Sequence, residues 1–158
     1  MGTAEQRRTN ETIGVIVSNI AGRLDTGIAI AGVRCGAKGL LNLESASLAQ
    51  ATQAIARVQK FAQGPFGVRL DAASPDADTL LARLPAAVEF VVVSGASEKA
   101  ARLKTLATAA HKTARQVFLE VTSARQASSA AHAGFDAVLA RRTSKESSFS
   151  RLAPVLTE

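Results

Sequence analysis

The sequence predicts an α/β protein made of six consecutive βα units around a parallel sheet. Three observations predict it. Short runs of β-branched and aliphatic residues recur at roughly the 20–30-residue interval that one βα unit occupies. The stretches between them carry apolar residues at helical spacing. The runs themselves, Phe90-Val91-Val92-Val93 most clearly, are continuously apolar rather than alternating, as strands buried on both faces are.

Each element follows from its residues. Residues 1–11 are polar and charged and are expected to be a flexible lead-in. The β-branched run 13–17 is the first strand and 18–23 a loop. Residues 24–31 form a short helix with Asp25 at its positive end, and Gly32 and Gly36 bracket its exit. A weaker second strand covers 37–41. Ser47 is placed to cap a helix whose apolar face is Leu48, Ala51, Ile55 and Val58. Gly64-Pro65 turns the chain into a third strand, 66–70. Ser74-Pro75-Asp76-Ala77-Asp78 predicts a capped helix start with proline in the first helical position. Leu80, Leu81 and Leu84 give that helix its stripe, and Pro85 stops it. The fourth strand, 90–93, closes at Ser94-Gly95, and a helix runs from Ser97 or Glu98 to about Ala110. After the fifth strand, 117–121, Ser123 caps an alanine-rich helix that Gly134 ends in the left-handed conformation. The sixth strand, 135–140, exits at Arg141-Arg142. Thr143 and Glu146 have capping-box spacing, and Phe149, Leu152 and Val155 would face a last helix inward. Alternation of this kind calls for right-handed crossovers between parallel strands. It leaves an open doubly wound sheet and a (β/α) barrel both available.

Composition narrows the function classes. At 47% hydrophobic and 4% aromatic, with no Trp, the 158 residues can build an aliphatic core of one domain or part of a larger one. The net charge of +6 is spread over Arg7-Arg8, Arg34 and Lys38, Lys99, Arg102 and Lys104, and Arg141-Arg142. A nucleic-acid interface wants a concentrated basic stripe with aromatic platforms, so none is expected. An acidic partner or a phosphorylated ligand is compatible with the charge. Cys35 stands alone, in keeping with a reducing cytoplasm. Neither a secretory leader nor a run of roughly 18 apolar residues is present, so no membrane association is expected and the chain is placed in the cytoplasm. His111 and His132 lack ligand spacing, so no metal site is expected.

Candidate chemistry gathers at strand ends, where parallel α/β folds meet their ligands. Asn19-Ile20-Ala21-Gly22-Arg23 and Ser94-Gly95-Ala96-Ser97 are the nearest approaches to a phosphate-binding loop. Asn19, Ala21, Gly22, Ser94 and Gly95 are therefore cofactor-binding candidates, although each loop has a single glycine and matches no nucleotide fingerprint. An ordinary βα turn is the other reading. Asp71 and Glu120 end strands three and five, as acid–base partners or as caps. Arg69, inside a buried strand, must be paired or bound to an anion. A salt bridge to Asp71 or Glu120 and an anion site shared with Arg141 and Arg142 are both open.

Four segments together resemble the nitronate monooxygenase family, also called 2-nitropropane dioxygenases. Pro65-Phe66-Gly67-Val68-Arg69-Leu70 resembles the family's P-F-G-V-N-L, and Val91-Val92-Val93-Ser94-Gly95-Ala96 its V-V-V-F-G-A. Val121-Thr122-Ser123-Ala124-Arg125-Gln126-Ala127 is similar to V-T-S-x-x-x-A, and Ala133-Gly134-Phe135-Asp136-Ala137-Val138 to A-G-A-D-A-V. The resemblance implies an FMN-dependent (β/α)8 barrel with relatives among flavin enoyl reductases and in bacterial polyketide and polyunsaturated fatty-acid synthases. It also implies losses. The family's flavin-contacting Asn falls on Arg69, its Gln on Arg141 and its catalytic His on Ser148, so no catalytic residue is assigned. The flavin-phosphate loops after strands seven and eight have no counterpart here. The expectation is therefore a partial (β/α)8 barrel, an incomplete TIM-barrel-like (β/α)6 domain over residues 12–158. It would be a fragment, a homodimer or a rearranged sheet. Its expected role is that of a degenerate flavin-oxidoreductase-like domain, structural or docking, in a larger synthase, with FMN not bound by this chain alone. Two alternatives accompany it. One is an active FMN-dependent nitronate monooxygenase or enoyl reductase completed by further strands or a second chain. The other is a basic docking module for an acidic acyl carrier protein or a phosphorylated ligand.

Overall fold

The computed structural model of the chain describes residues 14–141 and 150–154. Its elements are β1 (Ile16–Ser18), α1 (Thr26–Arg34), β2 (Lys38–Asn42), α2 (Leu48–Ala62), β3 (Phe66–Asp71), α3 (Ala77–Leu81), β4 (Val88–Ser94), α4 (Ala100–Ala110), β5 (Gln116–Val121), α5 (Ala124–Ala133), β6 (Ala137–Arg141) and β7 (Ser150–Pro154). Strands β1 to β6 are parallel and lie in sequential order in one sheet. That order decides between the two architectures. A doubly wound sheet reverses its strand order at a switch point, whereas a barrel winds in one direction with every helix on the outer side.

Strand residues divide between the two faces. Leu41, Val68, Val91, Val93, Val117, Leu119 and Val138 join the helices in one large core with Val58, Leu81, Leu103 and Leu106. The alternate residues Leu40, Phe90, Val92, Phe118, Ala137 and Leu139 form a second cluster on the concave side, with Ile16 against it. Contacts that skip strands show the curl. Lys38 Nζ on β2 lies 3.4 Å from Gln116 Oε1 on β5 and 5.5 Å from the centre of the Phe90 ring on β4. The architecture is a curled half-barrel, a partial (β/α)8 barrel.

Local signals worked where the chemistry was unambiguous. Ser47 and Gln50 form a capping box on α2, Ser123 Oγ accepts from the Gln126 N–H on α5, and Gly134 ends α5 at φ +86°. Three expectations shift. Helix α1 continues through Gly32 to Arg34, because Gly32 fits closely against β1, where a Cβ would come within 3.1 Å of Val17 Cβ; Gly36 at φ +79° provides the stop. Helix α3 begins at Ala77, since Ser74 Oγ accepts from the Asp76 N–H at 3.3 Å and turns the chain before the helix. The largest correction follows β6. Leu152, expected on a last helix, lies in β7, which pairs antiparallel with β6 opposite Leu139. An open parallel edge is satisfied by a strand and not by a helix, and a short apolar run fits either period. The expected lead-in, 1–11, and the Thr143, Glu146, Phe149 and Val155 signals lie outside the described residues.

Candidate functional site at the strand ends

The C-terminal ends of the strands bring together charges that are far apart in sequence. Arg69 on β3 points into the concave side, and its Nη2 donates to Glu44 Oε1 and to Glu120 Oε1, each at 3.0 Å. Glu120 on β5 also accepts from Arg141 Nη1 on β6 at 3.2 Å. Glu44, just past β2, accepts from the Ser94 hydroxyl on β4 at 2.6 Å. The chain of groups is therefore Arg141, Glu120, Arg69, Glu44, Ser94, alternating in charge and reaching across β6, β5, β3, β2 and β4. Arg69 and Glu120 are buried, while the Arg141 side chain is 56% exposed. Burying a guanidinium is tolerable because carboxylates sit on it at hydrogen-bond distance. One donor is left over: Arg69 Nε is buried with no hydrogen-bond partner among the described residues.

The remaining candidates do not converge on this network. Asn19 is buried between β1 and β2; its amide donates to Asn42 O and Arg23 O, and its carbonyl accepts from the Asn42 N–H. Those bonds tie the first two strands together and use up the amide's two protons. Ala21 and Gly22 lie exposed in the turn after it, with Gly22 at φ +76°. Gly95 takes φ +89° beside Asp71, where a Cβ would fall 3.2 Å from Asp71 Oδ1. Asp71 itself accepts from the Ala73 N–H and caps its own turn, so it forms no pair with Glu120 or Arg69. Arg142 and Ser148 lie outside the described residues. His111 contacts the Gly134 carbonyl at 3.1 Å and His132 the Ser128 carbonyl, and no cluster of metal-ligating side chains occurs among the described residues.

Glu44 was missed by the sequence reading. The sequence reading ends the second strand at Leu41 and gives Glu44 no role, whereas β2 runs to Asn42 and delivers Glu44 to Arg69. The alternation Leu40, Asn42, Glu44 was the signal, since residues two apart share a face.

Beside the network a cavity of about 460 Å³ opens between the β2–α2 and β3–α3 loops, lined by Leu43, Leu48, Leu70 and Leu80 together with Glu44, Asp71 and Asp76. Three carboxylates there repel a phosphate group instead of attracting one.

The chain is similar to FabK from Thermotoga maritima. The match has a TM-score of 0.65 and 23% identity, and covers 80% of this chain and 39% of FabK. A methionine-to-alanine mutant of the same FabK matches at a TM-score of 0.66 and 23% identity, over 82% of this chain and 42% of that one. This chain thus spans about two fifths of the length of FabK. At this identity the likeness is one of fold, and the fold is that of a partial TIM barrel. No protein-family model and no curated protein matches the sequence.

Proposed function

We propose that this chain is a flavin-oxidoreductase-like barrel portion whose coenzyme place has been taken over by ion pairs, and that its role is structural or docking within a larger bacterial polyketide or fatty-acid synthase. The observation that carries this reading is the pairing of Arg69 with Glu44 and Glu120. Arg69 and Arg141 stand where the resembling family places flavin-contacting Asn and Gln, and here both are turned onto carboxylates. A guanidinium flanked by two carboxylates has little positive charge left to offer an anionic ligand. A flavin gains negative charge at its pyrimidine end on reduction, and carboxylates beside it oppose that charge. The residues present therefore do not fit FMN.

Titration of the purified chain with FMN tests this. Flavin fluorescence and absorbance are expected to stay those of free FMN. Stoichiometric, tight binding would overturn the proposal.

One observation favours a second reading. The buried Arg69 Nε lacks an acceptor, and a ligand carbonyl would supply one. In an active enzyme completed by further strands or a second chain, Arg69→Ala would weaken flavin binding by a longer polypeptide, and the unsubstituted protein would consume NAD(P)H or a nitronate. A colourless, inert longer protein removes this reading. For docking of an acidic acyl carrier, Arg141 is the available member of the network because of its exposure. Arg141→Glu is expected to weaken such docking and flatten its salt dependence; unchanged binding removes Arg141 from that role.

A further inference from the structure

The two signs of charge are not evenly mixed along the chain. Between Thr26 and Leu70 the one acidic residue is Glu44, and Arg69 and Ser94 already engage it. Residues 71–141 interleave both signs. The stretch so poor in acid forms α1 and α2, which are packed against each other. Three cations gather at the C-terminal ends of these helices. Arg34 Nε donates to the Phe61 carbonyl at 2.9 Å, while Arg57 Cζ and Lys60 Nζ stand 5.8 Å and 5.4 Å from the centre of the Phe61 ring. All four residues are exposed. None of the ion pairs among the described residues reaches Arg34, Arg57 or Lys60. A basic residue in the last turn of a helix complements its dipole, which accounts for Arg34 on α1 and Lys60 on α2. Arg57 stands almost a turn earlier, and drawing a third cation to the same ring adds repulsion.

We infer that this corner, the outer C-terminal ends of α1 and α2, docks an acidic segment of a partner protein. Carboxylates set among Arg34, Arg57 and Lys60 relieve the repulsion between them, which is the complementarity that a basic face offers an acidic one. A single phosphate fits less well. It is held by converging N–H groups, as at a helix N-terminus, whereas α2 ends here and presents carbonyls. A nucleic-acid strand fits less well too, because the Phe61 ring carries cations where a base would stack. The place of the corner also matters. Each helix runs back from the end of one parallel strand to the start of the next, so these helix ends lie opposite the mouth that holds Arg69 and Arg141. A partner bound here leaves the mouth untouched, and the inference goes beyond the reading of the mouth given above.

Fluorescence anisotropy of a labelled peptide rich in Asp and Glu, titrated with the full chain, tests the inference. Saturable binding is expected, weakening as salt is raised. Arg57→Gln combined with Lys60→Gln removes two charges from the corner at exposed positions, so circular dichroism stays that of wild type while the dissociation constant rises about tenfold. Lys99→Gln combined with Lys104→Gln removes the same net charge from exposed positions on α4 and is expected to leave binding within about twofold of wild type. Phe61→Leu keeps an apolar side chain but removes the ring that gathers the cations, and is expected to weaken binding about twofold to fivefold. Absence of binding at low salt overturns the inference. So do equal losses in the two paired variants, which would mean that net charge alone attracts the peptide. Tighter binding of a single-stranded oligonucleotide, lost with Arg57 and Lys60, would replace the acidic protein segment by a nucleic acid.

Discussion

The two halves of the concave side are built on different principles. Toward the N-terminal ends of the strands, Leu40, Phe90, Val92 and Phe118 fill the interior, with the Phe90 and Phe118 rings 5.9 Å apart and tilted at 46°. Gly67 leaves the space that Phe90 occupies, and Lys38 and Gln116 meet below the ring. Toward the C-terminal ends, the same strands present Asn42, Arg69, Ser94, Glu120 and Arg141. The lower half is held by volume matching, which tolerates apolar exchange but not extra atoms. The upper half is held by charge pairing, which tolerates removal of the whole set but not of one member. A barrel that keeps its lower half and satisfies its upper half internally remains folded without a ligand at the mouth.

Removing one member of the upper half should have the largest effect. Arg69→Met leaves Glu44 and Glu120 facing the same vacated position, and a loss of about 3–5 kcal/mol in unfolding free energy is expected by urea titration. Adding Glu44→Gln and Glu120→Gln should return most of that loss, because no buried charge is then left without a partner. If Arg69→Met is nearly neutral, the network is not what holds the mouth and the contrast between the halves fails. The lower half comes next. Gly67→Ala drives a Cβ into the Phe90 ring, and about 1–3 kcal/mol should be lost through overpacking. Adding Phe90→Leu is expected to relieve part of it; an additive double mutant would mean that the ring is not the obstacle. Ser94→Ala removes the hydroxyl that donates to Glu44 and is expected to cost about 1 kcal/mol in the same measurement.

The parts of the fold are not equally legible in the sequence. The helix-facing core could be read directly, since Val91, Val93, Val117 and Leu119 sit in continuous apolar runs and the caps at Ser47, Ser123 and Gly134 are local chemistry. Arg69 inside a buried strand calls for a partner, and Glu120 is one of the two that the strand ends offer, because burying an unpaired charge is costly. Glu44 is harder to read for a different reason. Its contact with Arg69 depends on β2 lying beside β3 with Asn42 opposite Arg69, and that pairing and register are tertiary facts that periodicity does not contain. The end of the chain failed similarly: whether Leu152 belongs to a helix or a strand depends on the free edge of β6, a tertiary fact.

Arg141 should show the smallest effect, and it tests whether the mouth is open to water. Its side chain is more than half exposed and reaches Glu120 through a single bond of 3.2 Å. In water such a pair contributes less than about 1 kcal/mol, because solvent and salt screen it. Arg141→Ala is therefore expected to shift the urea midpoint only slightly, and raising the salt concentration should shrink the difference from wild type further. Glu120 keeps Arg69 in that variant, so the buried part of the network survives. A double-mutant cycle between Arg141→Ala and Glu120→Gln isolates the pair from the rest. Should the coupling instead approach the effect of Arg69→Met and resist salt, Arg141 must be shielded from solvent in the protein as it exists in solution. The mouth would then be a covered surface, and the strand ends would be where a partner sits.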